Sequence, residues 1–383
     1  MTKNLKYKPA IFFIFLNMLI IGFCESMKGV FVSQFKEVFQ IPDSSIGLMF
    51  SLSVFGYIIS TYVGGILCSK FGQKKILIFS TIITGISYLI TSIAPTFTIL
   101  LISVFTTNIG TGLQAISVNS ISPILFVTYS TILINLTHFF YGFGVSISQK
   151  FSGNMILKGF TFRDVFLINS GLMLLSIFLI LFISFPKIES ISTKSNIYKT
   201  LKNKLVLLFI LAQGLYVFSE VGFLNWFVNF AQTSYNFTVD KATHYSAIFF
   251  LVFTFGRLTG GFVVHRLGTK KSMITYLSMS LILFWSGYLL KSNFVVLISL
   301  SGFFFSIIFP TTITIIGEVF KENTSYVMGL ILSFVSIVNM LMNSLMGMLS
   351  TSLSPYTAFC LIPIALSLSL FFYTNIFKKI ETL

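Results

Sequence analysis

The segment that decides the fold occurs twice in this chain of 383 residues. The first copy reads GGILCSKFGQKK (64–75), and the second reads GGFVVHRLGTKK (260–271). Both hold a Gly pair, a basic residue, an apolar residue, Gly and Lys-Lys at identical spacing, and the second begins 196 residues after the first. A repeat at half the chain length predicts two halves of similar structure in the same orientation.

The composition places these halves in a membrane. The chain is 55% hydrophobic and 9% charged, with a mean hydropathy of +0.93, whereas soluble domains carry about 25% charged residues. The apolar runs lack the alternation of a β-barrel and exceed the roughly 20 residues that a spanning helix needs. We therefore expect an all-α integral membrane protein, with twelve transmembrane helices in two six-helix bundles related by pseudo-two-fold symmetry.

The predicted bundles occupy residues 1–186 and 205–383, and the polar segment 187–204 links them as a cytoplasmic loop. Gly142, Gly144 and Gly153 interrupt the predicted fifth span. The predicted spans are 10–35, 44–69, 75–94, 97–126, 130–157, 162–186, 205–233, 241–266, 271–290, 293–320, 323–352 and 356–377.

The basic residues set the orientation. The chain has a formal net charge of +15, but its Lys and Arg residues are scattered between the apolar runs, which argues against a nucleic-acid partner. They are concentrated in the connections that lie on the same side as both termini. By the positive-inside rule, both termini are expected in the cytoplasm of a cell whose membrane the chain crosses many times.

The repeated loops resemble the signature of the major facilitator superfamily between its second and third helices. The resemblance covers essentially the whole chain and implies two bundles that rock around a midplane site in alternating access. The acid of the signature is replaced by Ser69 in the first copy and His265 in the second. The alternative is that the loops are only topogenic charge and Gly turns. The matching residues, expected to form a conformational gate, are Gly65, Lys70, Gly72, Lys74, Lys75, Gly261, Arg266, Gly268, Lys270 and Lys271.

A narrower resemblance is to the fucose/glucose-type sugar:proton symporters. In that group coupling acids lie in the first and fourth helices, and here those positions fall near Lys28 or Gly29 and near Gln114, none of them acidic. The proton route of the group therefore does not transfer intact. The segments that carry the resemblance are NLTHFFYGFGVSIS (135–148), SEVGFLNWF (219–227) and FGRLTGG (255–261).

Ionisable residues inside apolar spans are costly and mark functional positions. In the first span Glu25 and Lys28 lie three residues apart, and Asn17 shares their helix face. This face is either a cavity-facing polar stripe or an internal salt bridge that neutralises itself. In the seventh span, Glu220 is either a proton carrier or the permanent partner of Arg257 in the eighth. We expect Glu220, Glu25 and Arg257 to take part in proton coupling.

Amide, imidazole and indole groups along the spans suit a polar solute, because they bond hydroxyl groups or stack on a sugar face. In the fourth span, the sequence leaves open which of two polar faces meets the cavity. The residues expected to bind substrate are Asn17, Lys28, Gln114, Asn119, Asn135, His138, Gln149, Asn225, Trp226, Asn339 and Asn343.

These features predict a secondary active transporter, not an enzyme, that moves a sugar or related small metabolite with protons. No phosphate-binding Gly-rich motif and no metal-ligand spacing is present, so we expect no cofactor. Its partners would be the solute, protons and membrane lipids, and it would act as a monomer. The alternatives are a proton-driven exporter of drugs or amphipathic metabolites and, in another class, a lipid-handling or receptor-like membrane protein.

Overall fold

The computed structural model of the protein describes residues 8–125, 130–185, 200–320 and 324–381. Nearly all of these residues are helical, as predicted. Within these ranges, eleven helical segments are long and apolar enough to cross a membrane. The helix Ser130–Leu157, which corresponds to the Gly-rich fifth span, forms but is not among the eleven.

The chain divides into two compact units. Unit 1 comprises Met1–Ile41 and Met49–Ile191, and unit 2 comprises Pro42–Leu48 and Ser192–Leu383. Before the second unit, the helices are α1 (Lys8–Glu25), α2 (Val32–Phe39), α3 (Asp43–Phe71), α4 (Gln73–Ile93), α5 (Phe97–Leu125), α6 (Ser130–Leu157) and α7 (Phe162–Phe182).

Unit 2 continues with eight helices among its described residues. They are α8 (Lys204–Tyr235), α9 (Val239–Leu267), α10 (Thr269–Leu289), α11 (Val295–Phe305), α12 (Ile308–Val319), α13 (Thr324–Ser352), α14 (Pro355–Phe359) and α15 (Leu361–Ile380).

Corresponding helices pack together inside each unit. In unit 1, α1 packs on α6, and α4 packs on both α5 and α7. In unit 2, α8 packs on α13, and α10 packs on both α11 and α15. The same three pairings of first with fifth, third with fourth and third with sixth span occur in both units, as duplication requires.

The predicted tenth and twelfth spans are each divided into two helices. Pro310 lies four residues after Ser306, the residue that follows α11, and Pro363 lies four residues after Phe359, where α14 ends. A proline inside a helix has no N–H to donate to the carbonyl four residues earlier, and its ring crowds that carbonyl. The continuous spans expected at 293–320 and 356–377 are therefore wrong in this detail.

The first span, expected as one helix over 10–35, is also broken, and no proline is responsible. Its α-helix ends at Glu25, a 3-10 turn covers Ser26–Gly29, and α2 starts at Val32. The break falls on the charged segment between Gly22 and Gly29. The break leaves the carbonyls of Cys24 and Ser26 to accept hydrogen bonds from side chains of neighbouring helices. These side chains are part of the site described below.

Two glycines bring α1 and α6 into close contact. A Cβ at Gly22 would collide with the carbonyl oxygen of Tyr141, and a Cβ at Gly144 would collide with that of Leu19. Small residues allow this approach between membrane helices. The contact places the middle of α6 beside the end of α1, and so beside Glu25.

The two repeated loops have the same backbone conformation. Gly72 has φ 86° and ψ 145°, and Gly268 has φ 79° and ψ 157°. This region is essentially restricted to glycine. Each of the two glycines immediately precedes the third long helix of its unit, so the sequence repeat corresponds to a repeated turn.

Candidate functional site

The break in the first span is held by side chains from α6 and α7. Gln149 Nε2 donates to the carbonyl oxygen of Ser26 at 2.9 Å. Asn169 Nδ2 donates to the carbonyl oxygen of Cys24 at 3.5 Å and contacts Met27 Sδ at 3.1 Å. Since a buried helix end must satisfy its free carbonyls, these two amides stabilise the turn. Gln149, predicted as a substrate ligand, is fully buried in this role.

Lys28 lies within this turn and is only 7% exposed. Within the described ranges, no carboxylate oxygen lies within 4.0 Å of its ammonium group. The carboxylate of Glu25 instead accepts a hydrogen bond at 3.4 Å from the hydroxyl of Tyr141 on α6. The direct Glu25–Lys28 salt bridge, one of the two sequence alternatives, does not form.

Other polar groups of unit 1 are buried with unused hydrogen-bonding capacity. Both amide atoms of Asn17, the hydroxyl of Tyr88 and Oδ1 of Asn169 are buried and make no hydrogen bond to a described residue. Gln114 Nε2 donates to Thr81 Oγ1 at 3.1 Å, which fixes its amide toward α4. Asn17, expected on the same stripe as Lys28, is thus buried in unit 1 with both amide atoms unbonded among the described residues.

Three further predicted ligands of unit 1 behave differently. Asn119 is exposed, and His138 is half-buried on α6. Asn135 belongs to α6, but its side chain lies outside the described residues. Of the stripe predicted on the fifth span, the structure therefore places Gln149 against the broken turn.

In unit 2 the predicted acid and the predicted base of α8 and α9 meet. Arg257 Nη2 lies 3.7 Å from Glu220 Oε1, with the two side chains 14% and 20% exposed. Tyr216 donates its hydroxyl hydrogen toward Glu220 Oε2 at 2.9 Å, and the same hydroxyl lies 2.6 Å from the carbonyl oxygen of Phe305. The guanidinium group also stacks over the ring of Phe253 at 4.4 Å. The pairing alternative for Glu220 is therefore the observed one.

A second group of predicted ligands forms its own hydrogen-bond network. Asn343 Oδ1 accepts from Trp226 Nε1 at 3.1 Å and from Asn225 Nδ2 at 3.3 Å. Asn343 Nδ2 donates to Asn339 Oδ1 at 2.9 Å. All four side chains are buried. The sequence identified the four residues, and the structure joins them in one network that links α8 to α13.

The tyrosines around these sites were not identified from the sequence. Tyr141, Tyr88 and Tyr216 contact or surround the charged groups, and Tyr373 bonds both Gln213 and Thr312. Tyr216 had a usable signal, since it lies one helical turn before Glu220. The others come from helices distant in sequence, and no local pattern marks them.

The lysines of the repeated loops hold the ends of other helices. Lys74 Nζ donates to the carbonyl oxygens of Leu181 at 2.9 Å and Ile183 at 2.7 Å, at the C-terminal end of α7. Lys270 Nζ lies 2.7 Å from Glu381 Oε1, just after α15. A cation at a helix C-terminus is favourable. In both units, the third span therefore holds the end of the sixth.

The predicted gate residues differ in their exposure to solvent. Lys74 is half-buried, whereas Lys75, Lys70 and the second-copy basic residues are exposed or nearly so. Gly65 and Gly261 are exposed, with no atom within 4 Å of an added Cβ.

Comparison with known proteins agrees with this architecture. The family model of the Major Facilitator Superfamily matches residues 14–273 and 209–380. The chain belongs to the Major Facilitator Superfamily. It is therefore a multi-pass membrane protein of a transporter family and not an enzyme, as the loop motifs predicted.

Individual members of the superfamily are distant from this chain. The TsgA homolog of Buchnera aphidicola subsp. Baizongia pistaciae is 25% identical over 309 residues, which cover 79% of each chain. The cis,cis-muconate transport protein of Acinetobacter baylyi is 20% identical over 335 residues, covering 82% of this chain and 80% of the relative. The crystal structure of a variant of the E. coli fucose:proton symporter FucP has a TM-score of 0.67 and 18% identity, and the match covers 97% of this chain and 99% of that chain. The resemblance to sugar:proton symporters is thus confirmed at the level of the fold.

Proposed function

We propose that the protein is a secondary active transporter that moves a small polar metabolite across the cytoplasmic membrane by alternating access, coupled to protons. The observation that carries the proposal is the Glu220–Arg257 pair. It joins an acid and a base that both lie inside predicted spans, and both side chains retain some exposure. Both termini would lie in the cytoplasm, and a single chain would suffice for transport.

The pair suits a proton-dependent step because each charge is costly in the membrane without the other. A proton on Glu220 would remove the charge that holds Arg257. The hydroxyl of Tyr216 has one hydrogen and two acceptors in reach, Glu220 and the carbonyl oxygen of Phe305, the last residue of α11. Protonation would make Glu220 the weaker acceptor and so favour donation to Phe305. Protonation is thereby connected to the proline break in the tenth span, which is a suitable place for a backbone movement.

The solute is proposed to be a sugar or a related metabolite. Support comes from the amide and hydroxyl groups of unit 1 that make no hydrogen bond to a described residue, and from similar proteins named for fucose and for cis,cis-muconate. Within the predicted ligands, Lys28 and Asn17 are the strongest candidates. The network of Asn225, Trp226 and Asn343 is already satisfied and would contribute shape more than new hydrogen bonds.

The repeated loops are proposed to form the cytoplasmic gate. Lys74 and Lys270 fasten the sixth span of each unit to the third. Without the acid of the family signature, that fastening relies on backbone carbonyls in unit 1 and on Glu381 in unit 2. Glu381, which follows α15, would take part in gating as a result.

The test is uptake of labelled metabolites into proteoliposomes under an imposed pH gradient. Glu220→Gln is expected to abolish gradient-driven accumulation while preserving counterflow exchange, because exchange requires no net proton movement. Glu37→Gln, the same change on the exposed face of α2, is the matched control and should behave as wild type. Accumulation by Glu220→Gln at the wild-type level would refute the coupling role. Drug resistance on overexpression, without metabolite uptake, would favour an exporter.

A further inference from the structure

The ammonium group of Lys28 is a buried cation that no acidic side chain neutralises by contact. The residue is 7% exposed, and within the described part of the chain no carboxylate oxygen comes within 4.0 Å of it. A charge in such a place is stable only when it is paired or solvated by polar groups. The contrast is with Arg257, which has an acidic partner in the same unit.

The nearest acid in sequence does not supply the missing partner. Glu25 is directed to Tyr141 across the α1–α6 contact, where the hydroxyl lies 3.4 Å from its Oε2. The change from α-helix to 3-10 turn falls between the two residues: Glu25 is the last residue of α1, and Lys28 belongs to the turn. The break therefore separates an acid and a base that a continuous helix would place on one face.

The broken turn also lies among polar groups with capacity to spare. Asn169, which holds the turn, has a buried Oδ1 without a described hydrogen bond, and the buried hydroxyl of Tyr88 is likewise unpaired. The ring of Tyr88 lies 5.7 Å from that of Phe166 on α7, which in turn lies 6.1 Å from the ring of Phe31, just after the turn. A cation, a donor hydroxyl and an unused acceptor in one part of unit 1 match a ligand that carries both an anionic group and hydroxyl groups.

We propose that Lys28 is the counter-charge for a carboxylate on the transported metabolite, so that the substrate is a small organic acid. The inference rests on the proposed transport function and narrows its solute. An anion bound at Lys28 would replace the absent internal partner, whereas a neutral sugar would leave the cation buried and unpaired. Glu25, nearby but engaged with Tyr141, would oppose a second negative charge and limit the affinity for the acid.

The experiment compares acids with neutral molecules of the same skeleton. Purified full-length protein is titrated with galacturonate against galactose, gluconate against glucitol, and benzoate against benzyl alcohol, and binding is followed by thermal shift and tryptophan fluorescence. Wild type is expected to prefer the acid of at least one pair. Lys28→Met should lose about thirtyfold or more of that affinity, the loss typical of removing one member of a buried charge pair, and should abolish the preference.

Three further variants separate charge recognition from structural damage. Lys28→Arg keeps the charge and should retain part of the preference. Lys158→Met, at an exposed lysine after α6, should bind as wild type. Glu25→Gln should retain or tighten acid binding, because it removes a competing carboxylate. A loss in Glu25→Gln equal to that in Lys28→Met would show that the two residues form an internal pair, and would overturn the proposal.

The outcomes also separate this inference from the proposed function. The organic-acid proposal is overturned if the protein prefers the neutral molecules, or if no binding depends on Lys28. Transport of another solute would then still be tested by the proteoliposome assay. Binding of an acid through Lys28 without transport in proteoliposomes supports the site and refutes the transport function.

Discussion

Replacing Gly72 by Ala tests the backbone of the repeated loop directly. The residue has φ 86° and ψ 145°, a region that costs a residue with a side chain about 1–3 kcal/mol. No atom lies within 4 Å of an added Cβ, so steric collision contributes nothing. Gly268→Ala should cost a similar amount, because Gly268 has φ 79° and ψ 157° and equally open surroundings.

The matched controls are the helical glycines of the same two segments. Gly65 lies in α3 and Gly261 in α9, and neither has an atom within 4 Å of an added Cβ. Alanine in a helix is favoured over glycine by about 0.5–1 kcal/mol. Gly65→Ala and Gly261→Ala should therefore be neutral or stabilising, so the same chemical change has opposite signs seven residues apart.

The measurement is thermal unfolding of each purified variant in detergent, with cysteine-reactive dye or intrinsic fluorescence as the signal. Melting temperatures should fall for the two loop variants and stay or rise for the two helical ones. If Gly72→Ala is as stable as Gly65→Ala, the turn does not need a glycine conformation, and the structural explanation of the repeated motif fails.

Three other variants test the contacts between helices. Lys74→Met should destabilise the protein by about 1 kcal/mol, since two charge-assisted hydrogen bonds to the end of α7 are lost. Lys75→Met, at an exposed position, should not destabilise it. Thermal unfolding of the two variants measures the difference. Gly22→Ala should lower folded yield in size-exclusion profiles through overpacking against α6, and Gly171→Ala, with open space around it, should leave the yield unchanged. Tyr216→Phe should slow gradient-driven uptake in proteoliposomes more than counterflow, and equal slowing of both would contradict its link to the proton step.

The architecture could be predicted from the sequence because two of the sequence features that indicate it are strong in any single chain. Apolar length identifies a spanning helix without knowledge of its neighbours, since every backbone group in lipid must be bonded within the helix. The Gly72 and Gly268 turns were identifiable because only glycine occupies their conformation, so the residue type itself reports the geometry. The helix pairings shared by the two units follow from the duplication that these loops revealed.

The interruptions were less accessible, and for two different reasons. Pro310 and Pro363 mark their breaks by a local rule that sequence reading could have applied. The break after Glu25 has no such mark. It depends on Gln149 and Asn169, which satisfy the carbonyls of Ser26 and Cys24 from helices more than a hundred residues away.

The candidate site shows the same limit. Charged residues in apolar spans stand out, so Glu25, Lys28, Glu220 and Arg257 were found. Their partners were not determined by spacing, because the interaction that replaces a local pair comes from another helix. Glu25 and Lys28, three residues apart, do not pair, whereas Glu220 and Arg257, in different helices, do.

This difference suggests that the two units of the duplicated fold carry separate functions. Each unit has an acid at nearly the same place in its first span, Glu25 in α1 and Glu220 in α8. In unit 2 the acid is paired with Arg257, and the proposed proton step changes the charge of that pair. In unit 1 no carboxylate of a described residue lies within 4.0 Å of Lys28, and the proposed counter-charge is the carboxylate of the substrate. Proton coupling through Glu220 and anion recognition through Lys28 therefore become separate properties, and the two sets of variants should affect accumulation and solute affinity independently.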